Sequence, residues 1–143
     1  MEVRLETTEG LGRTAEVWVG GHLLSVCDGV STPQKRCMPG PLEGTRFTYV
    51  TEEGFAWEDA VAANPSRKQS LAPARSWGYI GYGRVMSVMP VVIDYGMLIM
   101  EDANWTSDES LVGKYVRVTI DRLDISWAST PDWPQDITSP RQR

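Results

Sequence analysis

The stretch KYVRVTIDRLDI, Lys114 to Ile125, places apolar residues at Val116, Val118 and Ile120 and then at Leu123 and Ile125. Side chains alternate faces along a strand, so the first three share one face. The change of parity before Leu123 would turn the later pair outward unless one extra residue is accommodated. A bulge near Asp121 or Arg122 does this and bends the strand. Long bent strands of this kind build small barrels.

The preceding residues supply its neighbours. Gly83 to Ile93 is rich in Val, Met and Ile, Asp94-Tyr95-Gly96 reads as a turn, and Met97 to Met100 returns. Pro90 cannot donate to a ladder and marks a bulge, an edge or a second bend. Thr106 and Glu109 have the spacing of a capping box, predicting a short helix through Leu111 and Val112 that ends at Gly113. Upstream, Thr14 to Val19 alternates, and Gly20-Gly21 suits a two-residue hairpin turn leading into a strand over His22 to Cys27, with a bulged continuous strand as the competing reading. Thr45 to Thr51 reads as a strand. Trp57 to Ala63 reads as two helical turns stopped by Asn64-Pro65. Residues 28–44 and 66–76 read as loops.

The chain is therefore expected to be all-β, mostly strands with one or two short helices, in a small antiparallel barrel. Gly83 to Met100 and Lys114 to Ile125 resemble part of an OB-type barrel. A β-sandwich is the alternative arrangement of the same strands. One domain is expected over residues 1–128, followed by a flexible Pro/Ser-rich tail over 129–143. No fixed-period repeat is present.

With 143 residues, 41% of them hydrophobic and 23% charged, the chain can bury a core of its own. No run approaches the roughly 18 to 20 apolar residues of a membrane-crossing helix, and Met1 to Gly10 lacks a hydrophobic leader core, so a cytoplasmic location without membrane contact is expected. Cys27 and Cys37 are then expected as thiols, although a bridge between them is open. With His22 they make only three of the four ligands a structural zinc site takes, and neither a metal nor another cofactor is expected.

The net charge of −5 opposes broad affinity for nucleic acid. Its distribution is uneven. Residues 1–64 hold five basic and ten acidic side chains and residues 85–143 five and nine, whereas residues 65–84 hold Arg67, Lys68, Arg75 and Arg84 with no acid. Trp77, Tyr79 and Tyr82 lie among these cations, and Gly78, Gly81 and Gly83 keep the backbone open to close approach. Cations hold phosphates and aromatic rings stack on unpaired bases, so these seven cationic and aromatic residues form a candidate surface for single-stranded nucleic acid or another polyanion. The plainer reading makes the rings core and the cations counter-charges.

Catalytic signals are sparse. His22 and Cys27 are five residues apart, which puts them on opposite faces of one strand. The pairs Glu52-Glu53, Glu58-Asp59, Glu101-Asp102 and Asp108-Glu109 fit turns, helix starts or exposed strand ends, and the glycine spacing is neither a P-loop nor a dinucleotide fingerprint. Trp133, between Pro131 and Pro134, suits a stiff docking peptide. The expected function is a binding or assembly module and not an enzyme, acting by protein–protein recognition or self-association. Weak single-stranded nucleic-acid binding is the alternative and a small hydrolase a remote third.

Overall fold

The computed structural model describes residues 2–128. The strands are β1 (Val3–Thr8), β2 (Thr14–Val19), β3 (His22–Gly29), β4 (Gly40–Leu42), β5 (Thr45–Thr51), β6 (Ser70–Pro73), β7 (Tyr79–Ser87), β8 (Val92–Asp94), β9 (Ile99–Glu101) and β10 (Tyr115–Trp127). One short helix, α1 (Trp57–Ala62), and a 3-10 turn at Glu109–Leu111 join them. The strands form one sheet in the order β4-β1-β2-β3-β10-β7-β8-β9, with β5 also on β10 and β6 also on β7. The sheet curls strongly into a half-barrel, an all-β fold of the small-barrel kind.

β10 organises this sheet. Its first half pairs with β7 from Tyr115↔Arg84 to Ile120↔Tyr79, and its second half pairs with β5 from Arg122↔Val50 to Trp127↔Thr45. The register shifts between Ile120 and Arg122, so the bulge stands where the apolar parity changes. Val116, Val118, Ile120, Leu123 and Ile125 are all buried, and Asp121 and Arg122 are exposed. Beyond the bulge β10 also takes β3 at Asp124↔Cys27 to Ser126↔Gly29. That ladder is parallel, so the sheet is not wholly antiparallel as expected. It requires Gly29, because a Cβ there would meet the Ile125 carbonyl oxygen at 2.5 Å.

Gly81 and Gly83 serve the core and not a ligand. They lie on the inner face of β7, where a Cβ at Gly81 would stand 2.6 Å from the Tyr95 ring and one at Gly83 2.5 Å from the Ile93 side chain. Tyr95, expected in a surface turn, is fully buried against this strip. An apolar ring gains more by covering backbone than by facing water.

The N-terminal hairpin forms as expected. Gly20 and Gly21 have φ of 55° and 84°, and Val19 pairs with His22. Four local readings differ. Val3 to Thr8, unassigned from the sequence, is a strand whose Val3 and Leu5 are buried. The loop over 66–76 contains β6, which completes the edge of β7 beside β8. The helix at Thr106 is a 3-10 turn capped by Asp108, whose Oδ1 accepts from Ser110 N at 3.0 Å. The loop over 28–44 contains β4 and is tied down by Asp28.

Asp28 is 1% exposed. Its carboxylate accepts from Val30 N at 2.7 Å, Ser31 N at 2.8 Å, Ser31 Oγ at 2.6 Å and Thr8 Oγ1. Ser31 Oγ in turn accepts from Cys37 N at 2.8 Å. Burial alone would raise the pKa of Asp28, but these donors favour the anion more strongly and hold it below the ordinary 3.8.

Two predictions follow from these contacts. Gly81→Ala should cost about 1–3 kcal/mol in denaturant unfolding, because the fully buried Tyr95 ring has no room to retreat. Asp28→Ala should cost about 2–4 kcal/mol at pH 7, since it strands several buried donors. A depressed folded pKa gives stability that is present above the unfolded value and lost as pH falls through the folded one. The wild-type chain should thus lose this contribution below about pH 4, and the variant's stability should fall less steeply there.

Candidate functional site

On the outer face of β7 and β10, Arg84 stands opposite Tyr115 and Tyr82 opposite Arg117. Side chains directly opposed on one face of an antiparallel pair are in contact range. Each ring carries a second cation. Lys68 Nζ lies 4.6 Å from the centre of the Tyr82 ring, and the Arg67 guanidinium carbon 5.8 Å from that of Tyr115.

Asn64 places these two cations. It is 3% exposed, and its Nδ2 donates to the Val116 carbonyl at 3.0 Å and to the Lys68 carbonyl at 3.2 Å. Its Oδ1 accepts from Lys68 N at 3.0 Å. The side chain therefore ties the turn after α1 to the edge of β10 that β5 leaves free. Arg67 within that turn has φ of 59°, uncommon for a residue with a Cβ. Lys114, next to Tyr115, extends the charge into an open cleft of about 500 Å³ whose lining includes Val61, Arg67, Ser110, Val112 and Tyr115.

Among the described residues, none of Arg67, Lys68, Arg84, Lys114 and Arg117 has a carboxylate within 4.0 Å. Asp94 pairs with Arg84 on the β8 side, but its Oδ1 accepts from Gly96 N at 2.8 Å. Arg117 marks a boundary, sharing a smaller cleft with Glu52, Glu53 and Asp59.

The basic segment read from the sequence is thus divided. Arg67, Lys68, Tyr82 and Arg84 are brought together and joined by Lys114, Tyr115 and Arg117. Arg75 is exposed in the turn between β6 and β7, and Trp77 is half-buried beside it with its Nε1 donating to Thr14 Oγ1 at 3.1 Å. Tyr79 offers no stacking surface. It is 3% exposed, and its hydroxyl accepts from Ser25 N and donates to Ser25 O, each at 2.9 Å. Residues 114–117 were missed because their alternation identified a strand but not its neighbour; the register with β7 supplies the link. Trp133 lies outside the described residues.

Cys27 and Cys37 are free thiols. Burial, with Asp124 beside Cys27 and Asp28 beside Cys37, raises both above the ordinary 9.0, which disfavours a reactive thiolate. His22 is exposed at the hairpin turn. No group of three His, Cys, Asp or Glu side chains among the described residues is arranged to hold a metal.

Asp102, expected at an exposed strand end, is 6% exposed. It accepts from the Tyr49 hydroxyl, from Asn104 N at 2.7 Å and from Asn104 Nδ2 at 3.0 Å, while the Tyr49 and Tyr95 hydroxyls meet at 2.6 Å. Burial raises the carboxyl above the ordinary 3.8 despite these donors. The group borders an open cleft of about 460 Å³ between β5 and β9, running along Thr45 to Tyr49 on one wall and Leu98 to Ala103 on the other. Buried carboxyls with raised pKa values mark many active sites. Here both oxygens are engaged in joining β9 to β5, so the arrangement reads as a structural clasp.

A raised folded pKa reverses the linkage found for Asp28. Stability from Asp102 should grow as pH falls from neutral toward 4, because the folded state takes up the proton first. In Asp102→Asn, pH-dependent thermal unfolding should lack this rise above pH 4 while keeping the fall below it.

Comparisons with protein-family models, with curated proteins and with solved structures each found no match for this chain.

Proposed function

We propose that this protein is a binding module whose β7–β10 face takes a single-stranded, phosphate-bearing polyanion, with single-stranded nucleic acid as the ligand class. One observation carries the reading: each of two tyrosines, Tyr82 and Tyr115, has an arginine across the strand pair and a further cation over its ring. At an exposed site a cation–π contact is worth about 0.5–1 kcal/mol, so Lys68 or Arg67 can leave its ring for a phosphate. A base stacking on the vacated ring is worth about 1–3 kcal/mol. The exchange favours the ligand. The rest of the chain is acidic, which confines attraction to this face and makes it salt-sensitive. Free thiols at Cys27 and Cys37 suit a reducing, cytoplasmic setting.

Protein–protein recognition, the first expectation from the sequence, draws support from exposed apolar side chains such as the cross-strand pair Trp18 and Leu23 on the outer face of the hairpin, and Trp105 and Met38, 71% and 69% exposed. Singly exposed apolar side chains are ordinary on a protein surface, whereas the seven side chains of the cation face are joined by register and ring contacts.

The test is fluorescence anisotropy of a labelled mixed-sequence single-stranded oligonucleotide across a salt series, with poly-glutamate as competitor. Contacts from four or five cations should give a slope of log K against log salt near −3, at about −0.7 per phosphate for single strands. Lys68→Ala with Arg84→Ala should flatten that slope by about 1.4 and weaken binding at least tenfold, with unfolding unchanged because both residues are exposed. No anisotropy change at low salt removes the reading, and displacement by poly-glutamate at equal charge redirects it to an acidic protein.

A further inference from the structure

β5 pairs only with β10 and β9 only with β8, so each has one edge with no strand partner among the described residues, and both edges border the cleft of about 460 Å³. The gap is closed at one end. Asn104 Nδ2 donates to Thr51 Oγ1 at 3.2 Å and Tyr49 bonds Asp102, joining the far ends of the two strands. The lining stops at Tyr49 and Ala103, just short of the Asn104 bond, and begins at Val3 and Thr45. Its inner wall includes Phe47, Leu98 and Met100, and Ile99 on its rim is 61% exposed.

The described chain ends at the other end of this gap. Trp127 pairs with Thr45, and Ala128 N donates to the Gly44 carbonyl at 2.6 Å. A second open cleft of about 550 Å³, lined by Pro41, Leu42, Gly44 and others, shares Val3 and Thr45 with the first. Fifteen residues, 129–143, follow from this point. Trp133 is five residue steps beyond Ala128, a span of at most roughly 17 Å. The cleft from Thr45 to Tyr49 is four residue steps, roughly 14 Å.

Independently of the cation face, we infer that residues 129–143 are the occupant of the β5–β9 cleft, with the Trp133 indole seated over Phe47, Leu98 and Met100. Three observations converge on this segment: the cleft is shut at its far end, the chain leaves at its mouth, and the first large apolar side chain beyond that point lies within reach. An indole buries roughly 150–250 Å² and brings one N–H donor to strand edges that have no strand partner among the described residues. Pro131 and Pro134 limit the unfolded freedom lost on seating it. The alternatives, a second copy of the chain or a foreign strand, would bind the same edges but in a concentration-dependent manner.

Amide hydrogen exchange at Thr45 to Tyr49 and Ile99 to Glu101 decides between them. It is compared in the full chain, in the full chain carrying Trp133→Ala, and in a chain ending at Ala128. Exchange at both edges should be at least tenfold faster in the two altered chains, with the β2–β3 hairpin amides unchanged as a control for folding, and the protection in the full chain should not vary over a hundredfold dilution. If the shortened chain fails to fold, the Trp133→Ala comparison alone decides. Equal exchange at the two edges with and without Trp133 overturns the inference, and protection that falls on dilution assigns the cleft to a second copy instead.

Discussion

The bulge of β10 between Ile120 and Arg122 is the constraint on which the remaining architecture depends. Without the extra residue, Leu123 and Ile125 would turn away from the core and the strand would keep the same neighbours. By bending there while keeping its apolar residues on the core side, β10 holds β7 along its first half and β5 and β3 along its second, so a single strand joins the barrel strands to the N-terminal hairpin. The curl follows from that bend, and so does the unpaired edge beside Val116. Because β5 ends at the bulge, the first half of β10 needs another partner on that side, which Asn64 and α1 provide. The cation face is a consequence of how that edge is covered.

Two buried carboxyls show opposite answers to one electrostatic problem. Removing a charge from water is costly unless hydrogen bonds replace hydration. Asp28 receives four donors and remains the more stable as an anion, and it orders the connection from β3 toward β4. Asp102 receives fewer and lies among the phenols of Tyr49 and Tyr95, which burial holds far above their ordinary 10. Its proton is retained more readily, and the three groups link β9 to β5 without a backbone ladder. One site is strongest as a fixed anion, and the other is a hydrogen-bonded clasp across an open gap.

Much of this was legible in local patterns. The parity change at Asp121, the Gly20-Gly21 turn and the strand over Thr45 to Thr51 are period-two signals with local causes, and they survive folding intact. Signals that depend on distant partners were not legible. Val3 and Leu5 form only a brief alternation among charged residues, and β6 has little apolar content, because the edge of β7 holds it more than its own propensity does. Gly81 and Gly83 were read as places where a ligand could approach the backbone, whereas the groups packed against them belong to the core. At Gly81 the nearest group is the Tyr95 ring, fourteen residues onward, and at Gly83 the Ile93 side chain, ten residues onward, and nothing short of the packed core identifies either.

The same distinction explains the fate of the basic segment. Sequence proximity grouped Arg75, Trp77 and Tyr79 with Tyr82 and Arg84, but alternate residues of a strand face opposite ways and Tyr79 falls on the inner side. Cross-strand register replaced it with Tyr115 and Arg117, whose own segment, Lys114 to Ile125, balances three cations against two acids. A charge count along the chain detects half of such a face, since the other half comes from a strand whose role in the pattern is apolar. The cation face is therefore a property of the β7–β10 ladder, and its composition is set by the register that the bulge fixes.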